Sequence, residues 1–131
     1  MTPRGIRNRN PGNIRISPQP WQGKIKGPDT AFETFDTMDN GVRAIYKILI
    51  HYIKKDSLDT IWEIISKWAP PSENSVTSYV NRVCKMTHMA ATQPVQPTYE
   101  LLRPIVHAIC VVENGGEYIE PEVFARAWKA L

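Results

Sequence analysis

A chain of 131 residues, 42% hydrophobic and carrying four tryptophans, can bury one core without disulfide or metal staples, so a single domain over residues 1–131 is expected. The net charge of +3 is modest, and apolar stretches such as Ala44 to Ile53, broken by Lys47 and His51, are too short to span a bilayer. The opening MTPRGIRNRN lacks the apolar run of a secretory signal, so action beyond the cytoplasm would need another carrier.

The first 35 residues are rich in Pro, Gly and Asn and show no helical period. Residues 21–25 and 31–35 read as two short strands around a turn at Gly27-Pro28-Asp29. After Thr37, an N-cap, apolar residues recur at helical spacing through Val42, Ile45, Tyr46, Leu49, Ile50 and Ile53. Ser57 is expected to cap a second helix with Leu58, Ile61, Trp62, Ile65 and Trp68 on its inner face, stopped by Pro70-Pro71. Asn74 or Ser75 starts a third, bearing Val76, Tyr79, Val80 and Val83. A linker from Thr87 to Pro97 leads to a helix that ends at Glu113 and is expected to kink or restart at Pro104. A last helix begins at Pro121 and turns Val123, Phe124, Ala127, Trp128 and Leu131 inward. The expected fold is mainly α, a small helical domain with a minor β-hairpin near the N-terminus.

Cys84 and Cys110 lie in apolar helical contexts and form no CxxC pair, which reads as reduced core thiols. His51, His88 and His107 lack ligand spacing, so neither a metal nor another cofactor is expected. Charge is uneven along the chain. Arg4, Arg7, Arg9, Arg15, Lys24 and Lys26 all precede the first acid, Asp29, whereas Glu113, Glu117, Glu120 and Glu122 crowd the far end. The basic arm fits a polyanion such as nucleic acid, an acidic bacterial wall, or a solvated face paired with the acidic tail.

The run from Ile105 to Val112 ends in Glu113-Asn114-Gly115-Gly116. A carboxyl group at the carboxyl end of a buried helix meets the negative pole of the helix dipole and apolar neighbours, both of which favour its protonated form. A carboxylic acid that keeps its proton is what glycosidic cleavage requires. Glu113 is therefore the first catalytic candidate; the other reading is an exposed last-turn acid before a helix stop. In GIRNRNPGNIR, Asn8, Asn10 and Asn13 surround a Pro11-Gly12 turn and offer amides to the N-acetyl and hydroxyl groups of a sugar, or simply stiffen the turn. Trp21 could stack on a pyranose or sit in the core. Glu73 and Asn74 stand at a helix start, where both can act as caps.

GIRNRNPGNIR, Trp21-Gln22-Gly23, Phe32 and Phe35 ahead of Gly41-Val42-Arg43-Ala44, then WAPPSEN followed by Tyr79 and Val83, together resemble a family of small tailed-phage and prophage virion-associated proteins. The resemblance covers nearly the whole chain. A more distant similarity is to the lysozyme superfamily, including lytic transglycosylases and flagellar glucosaminidases. There a helix ending in the catalytic glutamate is followed by a strand-containing lobe, an aromatic-and-Gly pattern and a Tyr-bearing helix. Here Asn10-Pro11-Gly12-Asn13-Ile14, Phe32/Phe35/Gly41 and Tyr79 keep that order, while the acid-ended helix comes last. That arrangement implies a circularly permuted lysozyme-like domain, tolerable where chain ends lie at the surface.

The resemblance implies a peptidoglycan-degrading glycosidase of lysozyme or lytic-transglycosylase type, of phage or prophage origin. Glu113 would be its general acid and Glu73 a second carboxylate, with Glu33 a poorer choice for that second position. Asn8, Asn10, Asn13, Trp21 and Tyr79 would hold the glycan strand. The alternative is a catalytically inactive phage structural or wall-binding protein. Expected partners are peptidoglycan and other virion proteins rather than nucleic acid. The expected location is the virion or host cytoplasm, with delivery to the periplasm and wall.

Overall fold

The computed structural model describes residues 2–69, 75–116 and 118–131. In chain order these form α1 (Arg4–Arg7), β1 (Lys24–Ile25), β2 (Thr34–Phe35), α2 (Met38–Lys55), α3 (Ile61–Trp68), α4 (Val76–Thr87), α5 (Tyr99–Glu113) and α6 (Pro121–Lys129). The protein is mainly helical, with a small antiparallel strand pair near its amino end. Lys24 pairs with Phe35 and Ile25 with Thr34, and an isolated bridge joins Arg15 to Phe32.

The strands are shorter than the expected runs. Residues 21–23 turn instead of extending: the Lys24 amide bonds the Trp21 carbonyl at 3.1 Å, and Gly23 takes a left-handed φ of 78°. A side chain on Gly23 would meet Asn40 and Asp36, so glycine is needed there for space as well as for φ. The four-residue α1 carries no apolar period and went unpredicted.

The fold divides into two compact units, Met1–Lys47 with Ile109–Leu131, and Ile48–Ala108. In the first, Phe35, Val42, Ile45, Tyr46, Ile109 and Phe124 are fully or almost fully buried. Thr37 Oγ1 accepts from the Asn40 amide and starts α2 as an N-cap. Tyr46 donates its hydroxyl to the Phe124 carbonyl at 3.1 Å and meets Trp128 edge-on at 5.3 Å. Arg126 grips Asp39 through two N–H groups at 2.7 and 3.1 Å, and Arg43 Nε donates to the Ala130 carbonyl, so α6 is held against the start of α2. Trp128 is half-buried, while Leu131, expected to face inward, is 38% exposed beyond the last helical turn.

In the second unit α3 packs against α4, burying Ile61, Ile64, Ile65, Tyr79, Val80 and Val83. The α3 helix begins later than expected. Thr60, not Ser57, is its N-cap: its hydroxyl accepts from the Glu63 amide at 3.2 Å and donates to Glu63 Oε1 at 3.0 Å. Ser57 has a left-handed φ of 56°, outside any helix. The later start turns Trp62 outward, 44% exposed, and puts Ile64 in the place expected for it. Ser75 caps α4 through the Ser78 amide. Asn74 and the Pro70-Pro71 stop lie outside the described residues.

Helix α5 runs unbroken through Pro104, which was expected to kink or restart it. Proline withholds one N–H from the Glu100 carbonyl, but Leu102, Ile105 and Val106 on both sides are fully buried and hold the helical path. The thiols of Cys84 and Cys110 are both free.

Gly41 lies within α2 with the Arg9 carbonyl packed where a side chain would begin. Alanine ordinarily strengthens a helix interior by about 1 kcal/mol. Gly41→Ala should here lower stability by about 1–3 kcal/mol, because a backbone carbonyl cannot yield as a side chain can. The urea midpoint checks this, and a raised midpoint would contradict the packing described.

Candidate active site

The Asn-rich loop is built before any ligand is considered. Asn10 is fully buried: Nδ2 donates to the Ile14 and Glu33 carbonyls, each at 2.9 Å, and Oδ1 accepts from the Ile14 amide at 2.9 Å. One side chain thus closes its own turn and ties it to the segment entering β2. Asn8 is 6% exposed and donates to Asp29 Oδ2 at 3.1 Å, while its carbonyl takes the Phe35 amide. Arg9 and Asn13 both adopt φ of 50°, a left-handed conformation that Asn tolerates and Arg seldom adopts.

The end of α5 is fastened to this loop at two points. Asn13 Nδ2 donates to Glu113 Oε1 at 2.9 Å, and Asn114 Nδ2 donates to the Pro11 carbonyl at 2.8 Å and to the Cys110 carbonyl at 2.9 Å. Gly5 makes room, since a side chain there would strike Asn114 Oδ1. Oδ1 of Asn13 and of Asn114 are buried without a hydrogen-bond partner, and both approach Gly5. Gly115 and Gly116, with φ of 63° and 86°, terminate α5, and the Gly116 amide returns to the Val111 carbonyl at 3.0 Å. Burial, reinforced by the Glu113 charge, drives the Cys110 thiol far above its ordinary pKa.

The Glu113 carboxyl group therefore meets the asparagine turn directly and is half-buried there. Asn13, expected to contact a glycan, is half-buried and donates to Glu113. Asn8 and Asn10, expected to meet a glycan, are buried with their amides bonded to Asp29 and to the Ile14 and Glu33 carbonyls. Tyr79 is 3% exposed inside the second unit. Glu73 lies outside the described residues.

Trp21 lines an open pocket of about 690 Å³ with Ile16, Ile25, Phe32, Lys24 and Glu33. Ile16 and Ile25 are 48% and 43% exposed, giving it apolar walls. The Trp21 Nε1 donor and the Thr34 hydroxyl, also in the lining, are buried without partners. Glu33, 2% exposed, takes Lys24 Nζ at 2.9 Å and the Ser17 amide at 3.2 Å on Oε2. Arg4 and Arg15 lie over the Phe32 ring at 3.7 and 4.8 Å. Asp29 is held below the usual carboxylate range, first by the Ala31 and Phe32 amides and then by Asn8. Asp29 and Thr34 are pocket residues that the sequence reading does not single out, and Glu33 enters it only as the poorer second carboxylate. The Asp29-Thr30-Ala31-Phe32 turn was legible as an Asx turn, but burial of Glu33 carries no local signal.

Among the described residues no group of three or more His, Cys, Asp or Glu could hold a metal, and no helix is long and apolar enough to cross a membrane.

Protein P5 of Pseudoalteromonas phage PM2 is 35% identical to this chain over 117 residues, covering 86% of the chain and 72% of that protein. No protein-family model matches.

Asn114→Ala should cost about 1–3 kcal/mol, because the buried Pro11 carbonyl loses its donor; chemical denaturation reads this directly. Asp29 supplies a pH test. Its folded pKa lies below 3.8, so the stability it lends is present above the unfolded value and vanishes as pH falls through the folded one. Asp29→Asn should flatten the acid limb of the stability profile relative to wild type, and parallel limbs would show that the turn does not depend on the charge.

Proposed function

The chain belongs to the family of phage PM2 Protein P5, and from that premise we propose that it is a peptidoglycan-degrading glycosidase of lysozyme or lytic-transglycosylase type. Glu113 is the general acid. The observation that carries this reading is the 2.9 Å bond from Asn13 Nδ2 to Glu113 Oε1. An amide Nδ2 only donates, so this bond fixes the Oε1 side of the carboxyl group towards the turn; as general acid Glu113 supplies one proton. That proton goes to the glycosidic oxygen as the bond breaks and the sugar gains oxocarbenium character.

If water completes the reaction by inversion, a second carboxylate is needed roughly 6.5–9.5 Å away. Glu73, outside the described residues, is the candidate that the sequence offers for that part. Glu33 is already engaged by Lys24, which makes it the poorer candidate. If instead the sugar's own N-acetyl or 6-hydroxyl group attacks, one acid suffices. Trp21 lies against the glycan, Asn13 orients the acid, and Asn8 and Asn10 shape the loop that carries both. The phage family fits a protein carried with the virion and delivered to the wall.

A structural or wall-binding phage protein without turnover is the second reading. It is favoured by the Asn114 bond to Pro11, which fastens a helix end whether or not chemistry follows. Dye release from purified sacculi separates the two. The enzyme releases soluble fragments, and Glu113→Gln lowers the rate at least about 100-fold, with Glu73→Gln testing the second carboxylate. Equal rates in wild type and Glu113→Gln remove the assignment, and pelleting with intact sacculi without release supports the structural reading.

A further inference from the structure

Six cations precede the first acid in this chain, and the fold sorts them into two sets. Arg4 and Arg15 lie over Phe32, and Lys24 is engaged by Glu33 and by the Ser17 and Gln19 carbonyls at 2.6 and 3.1 Å. The other three, Arg7, Arg9 and Lys26, line a single open pocket of about 480 Å³ together with Asn8, Asp29 and Thr34. Among the described residues none of these three cations is ion-paired with an acid.

Arg9 is prepared for a ligand in a way a surface cation is not. Its Nε donates to the Phe35 carbonyl at 2.7 Å, its own carbonyl is packed against Gly41, and its backbone is held at φ of 50°. Backbone strain of this kind persists only where surrounding structure enforces it. With Nε committed, the terminal nitrogens remain for an oxyanion, whose geometry a guanidinium matches. Asp29, the acid in the lining, keeps its charge but spends its oxygens on neutral donors, Oδ1 on the Ala31 and Phe32 amides and Oδ2 on Asn8, which leaves three cations to one acid in this pocket. Thr34 is 6% exposed, and its hydroxyl is buried without a partner in the same lining.

This basic pocket shares Ile25, Lys26, Gly27, Asp29 and Thr34 with the Trp21 pocket, so the two adjoin, one aromatic and apolar and the other cationic. A nucleic acid would ask for a row of cations along a backbone. A sugar ring bearing an anionic substituent fits two pockets that adjoin in this way. We propose that Arg7, Arg9 and Lys26 form a subsite for a free carboxylate of the peptide that the amino sugar of peptidoglycan carries. The proposal rests on the wall-glycan reading above for the identity of the ligand, but not on Glu113 being catalytic.

The test is calorimetric titration of the full chain carrying Glu113→Gln, so that ligand is not consumed. Three probes are compared: a soluble disaccharide-peptide with free carboxylates, its methyl ester, and a short mixed-sequence DNA duplex. The free acid should bind about tenfold or more tighter than the ester. Adding Arg7→Gln and Lys26→Gln, both at exposed positions, should make acid and ester bind alike, with circular dichroism verifying the fold. Equal binding of acid and ester by the parent, or binding of neither, overturns the subsite. Tighter binding of the duplex, lost with the same two substitutions, overturns it in favour of nucleic acid. The two readings fail separately. A preference for the acid with no release from sacculi by the wild type keeps the subsite and removes the glycosidase, whereas release with no such preference does the reverse.

Discussion

The donation from Asn114 Nδ2 to the Pro11 carbonyl, across 103 residues of sequence, is the constraint on which the candidate site depends. It is buried, and a buried carbonyl left without its donor costs far more than an ordinary hydrogen bond gains. It therefore fixes where the α5 terminus meets the asparagine loop. Asn13 can reach Glu113 only because that meeting is fixed, and Gly5 supplies the close approach. One polar contact thus sets the position of the acid, and the left-handed Asn13 backbone sets its orientation.

The same loop serves both halves of the proposed chemistry. Asn10 joins the turn to the Glu33 carbonyl, and Asn8 joins it to Asp29, so the segment entering β2 moves with the loop that holds Glu113. Trp21, Glu33 and the basic trio all lie on that frame. Asparagines that read as sugar ligands are its internal braces. The residues that line the pockets instead include the aromatic and the cations.

Charge distribution acquires a different meaning once folded. As a string, the basic arm could have met nucleic acid, a wall or the acidic tail. In space, two arginines cover Phe32 and one lysine neutralises Glu33, which leaves a compact trio rather than a stripe. A compact trio recognises a single anionic group, whereas a stripe recognises a polymer backbone.

The helices from Thr37 onward were legible because apolar period and capping are local properties: Val42, Ile45, Tyr46 and Leu49 repeat at helical spacing, and Thr37 and Ser75 carry the hydroxyl a first turn requires. Where a local rule had two solutions, packing chose. Thr60 displaced Ser57 as a cap because Glu63 answers it three residues on, and α5 passed Pro104 because buried neighbours hold the helix there. The sequence by itself determined the helical class, the acid-Asn-Gly-Gly helix stop and the asparagine turn. Tertiary structure alone decided that stop and turn meet, that Asn8 and Asn10 face inward, and that Glu33 is buried, because each depends on contacts between residues tens of positions apart, which no local pattern records.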